Sequence, residues 1–415
     1  MIRRPPRSTQ GVSSAASDVY KRQLVKRTAD GQYEFDWQRY EETIRKTTRF
    51  LDNVIDVNLY PIPEIDKASK DSRRIGLGVM GVADLLYKLR ISYNSKEGYD
   101  FQSKLAEALT YYSMEESVEL AKNRSEFPLC SKTEYVEGKI PVSGYYEKPK
   151  EEHYYDWDAL IAKIKNYGIR NVLNTTVAPT GTLSMLADCS NGMEPTFALV
   201  FEKRVTVGRF FYTNKIFEQV LKENNLYSDE LLAKIADNYG SVRGMPEIPE
   251  WIQNIFVTAM DIHWSDHLLA QAVWQDWIGN AIAKTINMPN DVTVEDVKAS
   301  YLLAHELGLK GITVYRDGSR HKQVLHMTSE NAKKTFEVAP SDYISNYIAA
   351  RVKNSYIKSQ VDNAITTTDD TPQLTQTIVE DEKEETLCPT CKNKLIFVEG
   401  CNICIDCGYS GCTSG

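Results

Sequence analysis

No apolar run in the sequence approaches the roughly 20 residues that a helical bilayer span requires, and the chain reads as non-membrane. A basic surplus is missing as well: 49 Lys and Arg stand against 57 Asp and Glu, a net charge of −8. Contacts to a phosphate backbone need clustered cations, so general nucleic-acid binding is disfavoured. Cysteine is scarce in the body of the chain, where only Cys130 and Cys189 precede Cys388. Nothing at the start resembles a secretory signal, so this pattern points to a reducing, cytoplasmic setting. The Gly-x4-Gly-Lys-Ser/Thr loop of kinase-like nucleotide binders is absent, and no internal repeat is visible. What is present, 415 residues with 42% hydrophobic content, suits one large globular domain with a small one attached.

One segment stands out for its chemistry. Val172-Leu173-Asn174-Thr175-Thr176-Val177-Ala178 reads as a strand, Pro179-Thr180-Gly181-Thr182-Leu183-Ser184 as a tight turn, and Met185-Leu186-Ala187 as a helix start. Backbone N–H groups left free at a helix N-terminus point at an anion, and the helix dipole favours negative charge there. Thr180, Thr182 and Ser184 are expected to add hydroxyl donors, while Gly181 removes the side chain where backbone and ligand meet. The pattern marks a candidate phosphate site, with an ordinary Ser/Thr helix cap as the alternative.

Four blocks in a fixed order over residues 40–325 carry a family resemblance. The first is Asn53-Val54-Ile55-Asp56-Val57-Asn58 with Tyr60-Pro61 and Pro63-Glu64-Ile65. The second is Arg73-Arg74-Ile75-Gly76-Leu77-Gly78-Val79-Met80-Gly81 with Ala83-Asp84. The third runs from Gly168-Ile169-Arg170-Asn171 through the phosphate turn to Gly192-Met193-Glu194-Pro195. The fourth is Lys310-Gly311-Ile312-Thr313-Val314-Tyr315-Arg316-Asp317-Gly318-Ser319-Arg320. Together they resemble the catalytic chain of ribonucleotide reductases. The Pro-Thr-Gly-Thr-x-Ser turn is similar to that of the adenosylcobalamin-dependent (class II) branch; the iron-dependent (class I) large subunit, which shares the barrel, is the alternative.

The resemblance implies an α/β fold, the later part of a ten-stranded α/β barrel. In it Thr180, Gly181, Thr182 and Ser184 would hold the substrate phosphate, and Glu194 and Tyr315 would be pocket candidates. It implies a ribonucleotide substrate, adenosylcobalamin, deoxynucleotide effectors, an external dithiol reductant and a homodimer at full length. The reaction implied is thiyl-radical reduction to 2′-deoxyribonucleotides. The family's radical cysteine, its neighbouring Asn and Glu, and the barrel's redox cysteine pair lie upstream of the Asn53 block, and no residue here replaces them. The chain alone is therefore expected to be inactive. A cut barrel leaves strand edges unpaired, so poor solubility is expected too. A zinc-ribbon interaction module on an inert α/β scaffold is the reading from another class.

Residues 1–23 are basic, Ser-rich and without apolar periodicity. A transit segment would look similar, but the stretch resembles translated sequencing-adapter DNA more closely, so native sequence is expected to begin near Leu24. Residues 24–330 then form the partial barrel, 331–386 a helical or flexible acidic linker, and 387–415 a cysteine-rich ribbon. Apolar spacing predicts helices from Asp36-Trp37 to Asp56, Asp100 to Asn123 and Asp156 to Tyr167, and another opening at Pro249 or Glu250. Thr293 and Asp296 form an acidic capping box for a helix ending at Gly308, ahead of a strand over Ile312–Tyr315. The Thr run and Pro372 predict flexibility from Asn354 to Thr386.

The tail carries Cys388-Pro389-Thr390-Cys391 and Cys404-Ile405-Asp406-Cys407-Gly408, two knuckles that suit a tetrahedral zinc site in a module too small to fold unaided. One assignment gives zinc Cys388, Cys391, Cys404 and Cys407, leaving Cys401 and Cys412; the other gives it Cys388, Cys391, Cys401 and Cys404, leaving Cys407 and Cys412. The reductase resemblance implies that the pair left over is a mobile C-terminal redox shuttle.

Some patterns are decoys. Gly76-Leu77-Gly78-Val79-Met80-Gly81 spells a dinucleotide fingerprint, but charged Lys70–Arg74 stands where a buried strand is required, so close packing or a turn explains the glycines better. His263 and His267, four apart on a predicted helix, lack a third metal ligand. Gly279 and Ala283 stand where the family usually has Asp and Ser, and Cys189 reads as a small buried side chain.

Overall fold

The computed structural model describes residues 24–205, 208–319 and 338–366, together with three short strands farther on. It divides into two units, residues 1–368 and 369–415.

The first unit opens with a hairpin, β1 (Val25–Arg27) and β2 (Tyr33–Phe35), that leads into α1 (Trp37–Val57). Asp36 caps α1 by accepting the Arg39 N–H at 3.1 Å, and Tyr40, Ile44, Thr48, Leu51 and Ile55 form its buried stripe. Next come α2 (Pro63–Ser72), α3 (Val82–Leu89) and α4 (Lys96–Arg124). The last begins four residues before the predicted Asp100, because Ser95 caps it by accepting the Gly98 N–H at 3.0 Å. Its 29 residues are buried on most sides, so its polar side chains need internal partners. Ser113 meets Thr48 of α1 at 2.9 Å, Thr110 meets Thr175 at 3.0 Å and Ser117 meets Asn171 at 2.8 Å. Through these bonds α4 ties α1 to the strands beneath it.

After α5 (Ser143–Glu147) and α6 (Trp157–Tyr167, capped by Asp156) comes α7 (Gly181–Ala187). A lobe follows, built of the hairpin β3 (Val200–Val205) and β4 (Gly208–Thr213) with α8 (Lys215–Glu223), α9 (Asp229–Asp237) and α10 (Glu250–Ile255). It has its own core around Phe217, Val220, Ile235 and Phe256. The main unit resumes with α11 (Trp264–Gln275), β5 (Thr285–Met288), α12 (Val294–Glu306) and β6 (Thr313–Arg316). The capping box of Thr293 and Asp296 is present.

Apart from the two antiparallel hairpins, the strand segments of the first unit lie side by side in chain order and run parallel. Leu77 pairs with Thr175, Val177 with Ile282, and β5 with β6 in the register Thr285 to Thr313. Helix-to-strand alternation with parallel pairing is the α/β architecture expected. The predicted strand over 172–178 is realised as these bridging positions only, hydrogen-bonded to 75–77 on one side and to 281–283 on the other. Gly78 sits where a Cβ would lie 2.3 Å from the Thr176 carbonyl oxygen, so its role is close strand approach; Gly81 takes φ +83° at the head of α3.

The stretch from Asn354, predicted to be flexible, begins instead with a helix. α13 (Asp342–Arg351) and α14 (Ser355–Thr366) bury Ile344, Ile348, Ile357 and Val361 against the main core. Apolar residues at helical spacing outweighed the polar composition. In the second unit β7 (Ile396–Val398), β8 (Cys401–Ile403) and β9 (Ser410–Cys412) form an antiparallel sheet in which Cys401 stands opposite Cys412.

One buried charge set holds the start of the strand arc. Asp52, fully buried on α1, accepts from Arg73 Nε at 2.9 Å and from Asn171 Nδ2 at 3.1 Å, and Arg73 also pairs with Asp56 at 2.7 Å. Removing one partner strands the others without compensation. Asp52→Ala is therefore expected to lower stability by about 3 kcal/mol, read as a fall in the urea midpoint with an unchanged slope.

Candidate functional site

Parallel-sheet proteins present ligands at the C-terminal ends of their strands, where the loops into the following helices begin. Here that edge carries the turn 179–184, the second turn 188–194 and the far end of β5. Thr180 takes the left-handed conformation (φ +53°) as N-cap of α7, and no side chain caps that helix. Gly181 and Thr182 are exposed, and a Cβ on Gly181 would meet nothing within 4 Å. The first N–H groups of α7 have no partner within the helix. The side-chain position of Gly181 thus opens onto free space, and packing does not require a glycine there.

Two of the expected hydroxyl donors are used otherwise. Thr180 is buried and its Oγ1 accepts the Gly192 N–H at 2.8 Å. Ser184 is fully buried; its hydroxyl lies 2.9 Å from the Gly181 carbonyl and contacts the Asn191 side-chain oxygen. Both were expected to face the anion, and the structure turns them inward to shape the turn. Thr182 is the one hydroxyl of the set left outward.

Glu194 belongs to the second turn. One of its carboxylate oxygens accepts the Thr285 N–H of β5 at 2.6 Å. Tyr315, half-buried on β6, stands opposite Asn287 of β5. The two pocket candidates flank β5, which lies between them.

Behind β5 is a pair that sequence reasoning did not assign. Lys284 is buried at 2% exposure and donates to His267 Nδ1 at 2.8 Å and to the Thr285 carbonyl at 3.0 Å. The Ala259 carbonyl, 2.9 Å from His267 Nε2, can only accept, so Nε2 carries the ring proton and Nδ1 receives the lysine. Burial pushes Lys284 down to about 8, opposed by the Glu194 charge, and burial with the neighbouring Lys284 holds His267 well below its ordinary range. His263, by contrast, caps α11 through Nδ1, so the two imidazoles face different partners and share no metal position. Cys189 is half-buried rather than buried, and packs against the main core.

The zinc assignment for Cys388, Cys391, Cys404 and Cys407 falls outside the described residues, as does the segment 1–23. Among the described residues no cluster of three metal-ligating side chains occurs, and no helix is long and apolar enough to cross a membrane.

The parallel strand segments and the helices between them place the chain in the α/β class, with an uncapped, glycine-opened turn at the C-terminal edge as its candidate site. Residues 19–315 match the ribonucleotide reductase barrel domain, and the chain belongs to that family. A vitamin B12-dependent ribonucleoside-diphosphate reductase of Thermoplasma acidophilum is 38% identical over 76% of this chain and 37% of its own length. One of Mycobacterium tuberculosis is 38% identical over 73% of this chain and 39% of its own. A ribonucleoside-diphosphate reductase subunit alpha of Chlamydia pneumoniae is 31% identical over 66% of this chain and 27% of its own. The class Id ribonucleotide reductase alpha subunit of Actinobacillus ureae has a similar fold, with TM-score 0.52 at 22% identity over 67% of this chain and 46% of that one. The chain thus spans less than two fifths of the vitamin B12-dependent relatives named here.

The depressed lysine makes a stability prediction. Below about pH 8 folded and unfolded chains both hold the Lys284 proton, and its full penalty is present. Between about 8 and the unfolded value near 10.4 only the unfolded chain holds it, so stability rises with pH. Wild type should therefore gain about 3 kcal/mol relative to Lys284→Met across that window, measured by urea unfolding at pH 7.5 and 10.5.

Proposed function

We propose that this chain is the later part of the catalytic chain of a vitamin B12-dependent ribonucleoside-diphosphate reductase. The observation that carries the reading is the 38% identity to relatives of that name together with the open, uncapped turn at Gly181. The reaction replaces the ribose 2′-hydroxyl by hydrogen; the hydroxyl leaves as water while two thiols become a disulfide. Adenosylcobalamin supplies the initiating radical when bound, and no residue of this chain is assigned to it. The radical cysteine belongs to the upstream part of the barrel.

In this chain the N–H groups of Gly181, Thr182 and Leu183 and the Thr182 hydroxyl hold the substrate phosphate, where the helix dipole adds to each hydrogen bond. Thr180 and Ser184 keep the turn in shape. Glu194, fixed on one oxygen by Thr285, presents the other to a substrate hydroxyl, and Tyr315 lines the same wall across β5. Deoxynucleotide effectors, an external dithiol, a homodimer at full length and a cytoplasmic setting complete the reading.

In the tail, zinc takes Cys388, Cys391, Cys404 and Cys407, and Cys401 with Cys412 is the redox pair. The β8–β9 register supports this choice over Cys407 with Cys412: opposed Cα atoms of an antiparallel pair lie about 4.5–5.5 Å apart, within disulfide reach. The pair would give two electrons and two protons to the oxidised pair of the barrel and be reduced again by the external dithiol.

The activity test is deoxyribonucleotide formation by a chimera in which residues 24–415 replace the matching part of the Mycobacterium tuberculosis relative, supplied with dithiothreitol. Product only with adenosylcobalamin is expected, with KM for nucleotide raised at least tenfold in Gly181→Val. A folded chimera that makes no product with cobalamin overturns the reading. For the tail, metal analysis should find one zinc per unit of native chain, and brief alkylation should label Cys401 and Cys412 ahead of the other four tail cysteines. Labelling of Cys407 ahead of Cys401 would reverse the assignment.

A further inference from the structure

The phosphate turn does not stand alone; it leans on the turn 188–192, and that turn leans on one carboxylate. Asp84, in the first turn of α3, is buried at 2% exposure. Its carboxylate accepts the Ser190 N–H at 2.6 Å and the Asn214 side-chain amide at 2.7 Å. Its own N–H faces the Ser190 hydroxyl at 3.3 Å. The carbonyls of Ser190 and Gly192 accept the Gly81 and Val82 N–H groups at 2.8 and 3.4 Å, so the same turn caps α3. From the other side of the turn the Gly192 N–H donates to Thr180 Oγ1 at 2.8 Å, and Asn191 contacts Ser184. Thr180 and Ser184 are the two residues that shape the head of α7.

Asn214 extends the chain of contacts into the lobe. Its side-chain oxygen accepts from Ile216 and Phe217 at 3.0 and 3.2 Å, capping α8, and its N–H donates to the Leu199 carbonyl at 2.8 Å. Phe217 and Leu199 are both in the lobe's core. One carboxylate therefore joins α3, the turn beside α7 and the root of the lobe.

We propose that Asp84 is a positioning residue that sets the phosphate turn and couples it to the lobe of residues 196–258, so that the grip on a nucleotide's phosphate depends on the charge of this carboxylate. The inference rests on the phosphate reading of the 179–184 turn given above. Burial raises Asp84 to about 6 and the nearby Asp188 pushes in the same direction, while the Asn214 and Ser190 donors oppose. The charged and titratable groups facing it are Asp188, which pairs with Lys215 of α8, and Tyr87 of α3, whose hydroxyl donates to the Val257 carbonyl at 2.6 Å. Protonation turns two charge-assisted bonds into neutral ones and loosens the turn.

The test measures cytidine 5′-diphosphate binding to the 415-residue chain by equilibrium dialysis between pH 5 and 8, for wild type, Asp84→Asn, Asn214→Ala and Gly181→Val. Asp84→Asn keeps the size of the side chain but not its charge. Its dissociation constant should be about tenfold above wild type at pH 7.5 and near parity at pH 5, a ratio from which the ligand's own titration cancels. Asn214→Ala removes a donor that favours the carboxylate, so the inflection in wild-type affinity should move to higher pH. A merely structural Asp84 would give a ratio that does not vary with pH, and that result, or parity at pH 7.5, overturns the proposal. Should wild type bind no nucleotide, or Gly181→Val bind equally well, the phosphate reading fails and this inference falls with it. Binding that needs Gly181 but shows a constant Asp84 ratio sinks the coupling alone. Should Asp84→Asn not fold, an Asn214→Ala inflection that fails to move overturns it instead.

Discussion

The strand arc depends on an ion pair placed where water cannot reach. Arg73 stands two residues before the strand segment that starts at Ile75, and Asn171 two residues before the one that starts near Leu173. Both bond to the same Asp52 oxygen on α1. Adjacent parallel strands thus begin at a common height, and the helix across them is pinned at the same point. Coulomb attraction in a low-dielectric setting is strong only when the geometry is complete, and here one Asp52 oxygen meets both Arg73 and Asn171. Ser117, bonded to Asn171, brings α4 to the same place.

At the opposite ends of the strands side chains hold the backbone of the candidate turn. Thr180 and Ser184 spend their hydroxyls on Gly192, Gly181 and Asn191. What is left exposed at the turn is Gly181 and Thr182. Glu194 follows the same rule, locked on one side by Thr285. Behind them the Lys284–His267 pair shows how strongly the interior disfavours charge, since a lysine and an imidazole in contact are both driven toward neutrality.

Much of the fold was legible where local chemistry decides it. Apolar spacing announced the helices that follow Asp36 and Asp156, and Thr293 with Asp296 announced a third because their side-chain oxygens satisfy N–H groups that the helix leaves open. The place of the candidate turn was legible from Gly181 and its flanking hydroxyls, though not the direction in which Thr180 and Ser184 point. That direction is set by the 188–192 turn, whose position depends on α3 and on Asn214, 130 residues from Asp84 in the chain. Helix α14 was misread as flexible because composition was weighed above spacing; Ile357 and Val361 find their burial against a core that the segment itself does not contain.

Sequence alone determined the family, several of the long helices, the parallel α/β class and the place of the candidate turn, because each follows from residue identity or from spacing within a few turns of chain. Only the tertiary structure decided which hydroxyls face inward, which carboxylate joins the lobe to the turn, and which lysine is pushed toward neutrality. Those outcomes depend on burial and on partners tens to hundreds of residues away, such as Lys284 on His267 and Asp84 on Ser190. Desolvation is a property of the folded interior, and no local pattern of residues encodes it.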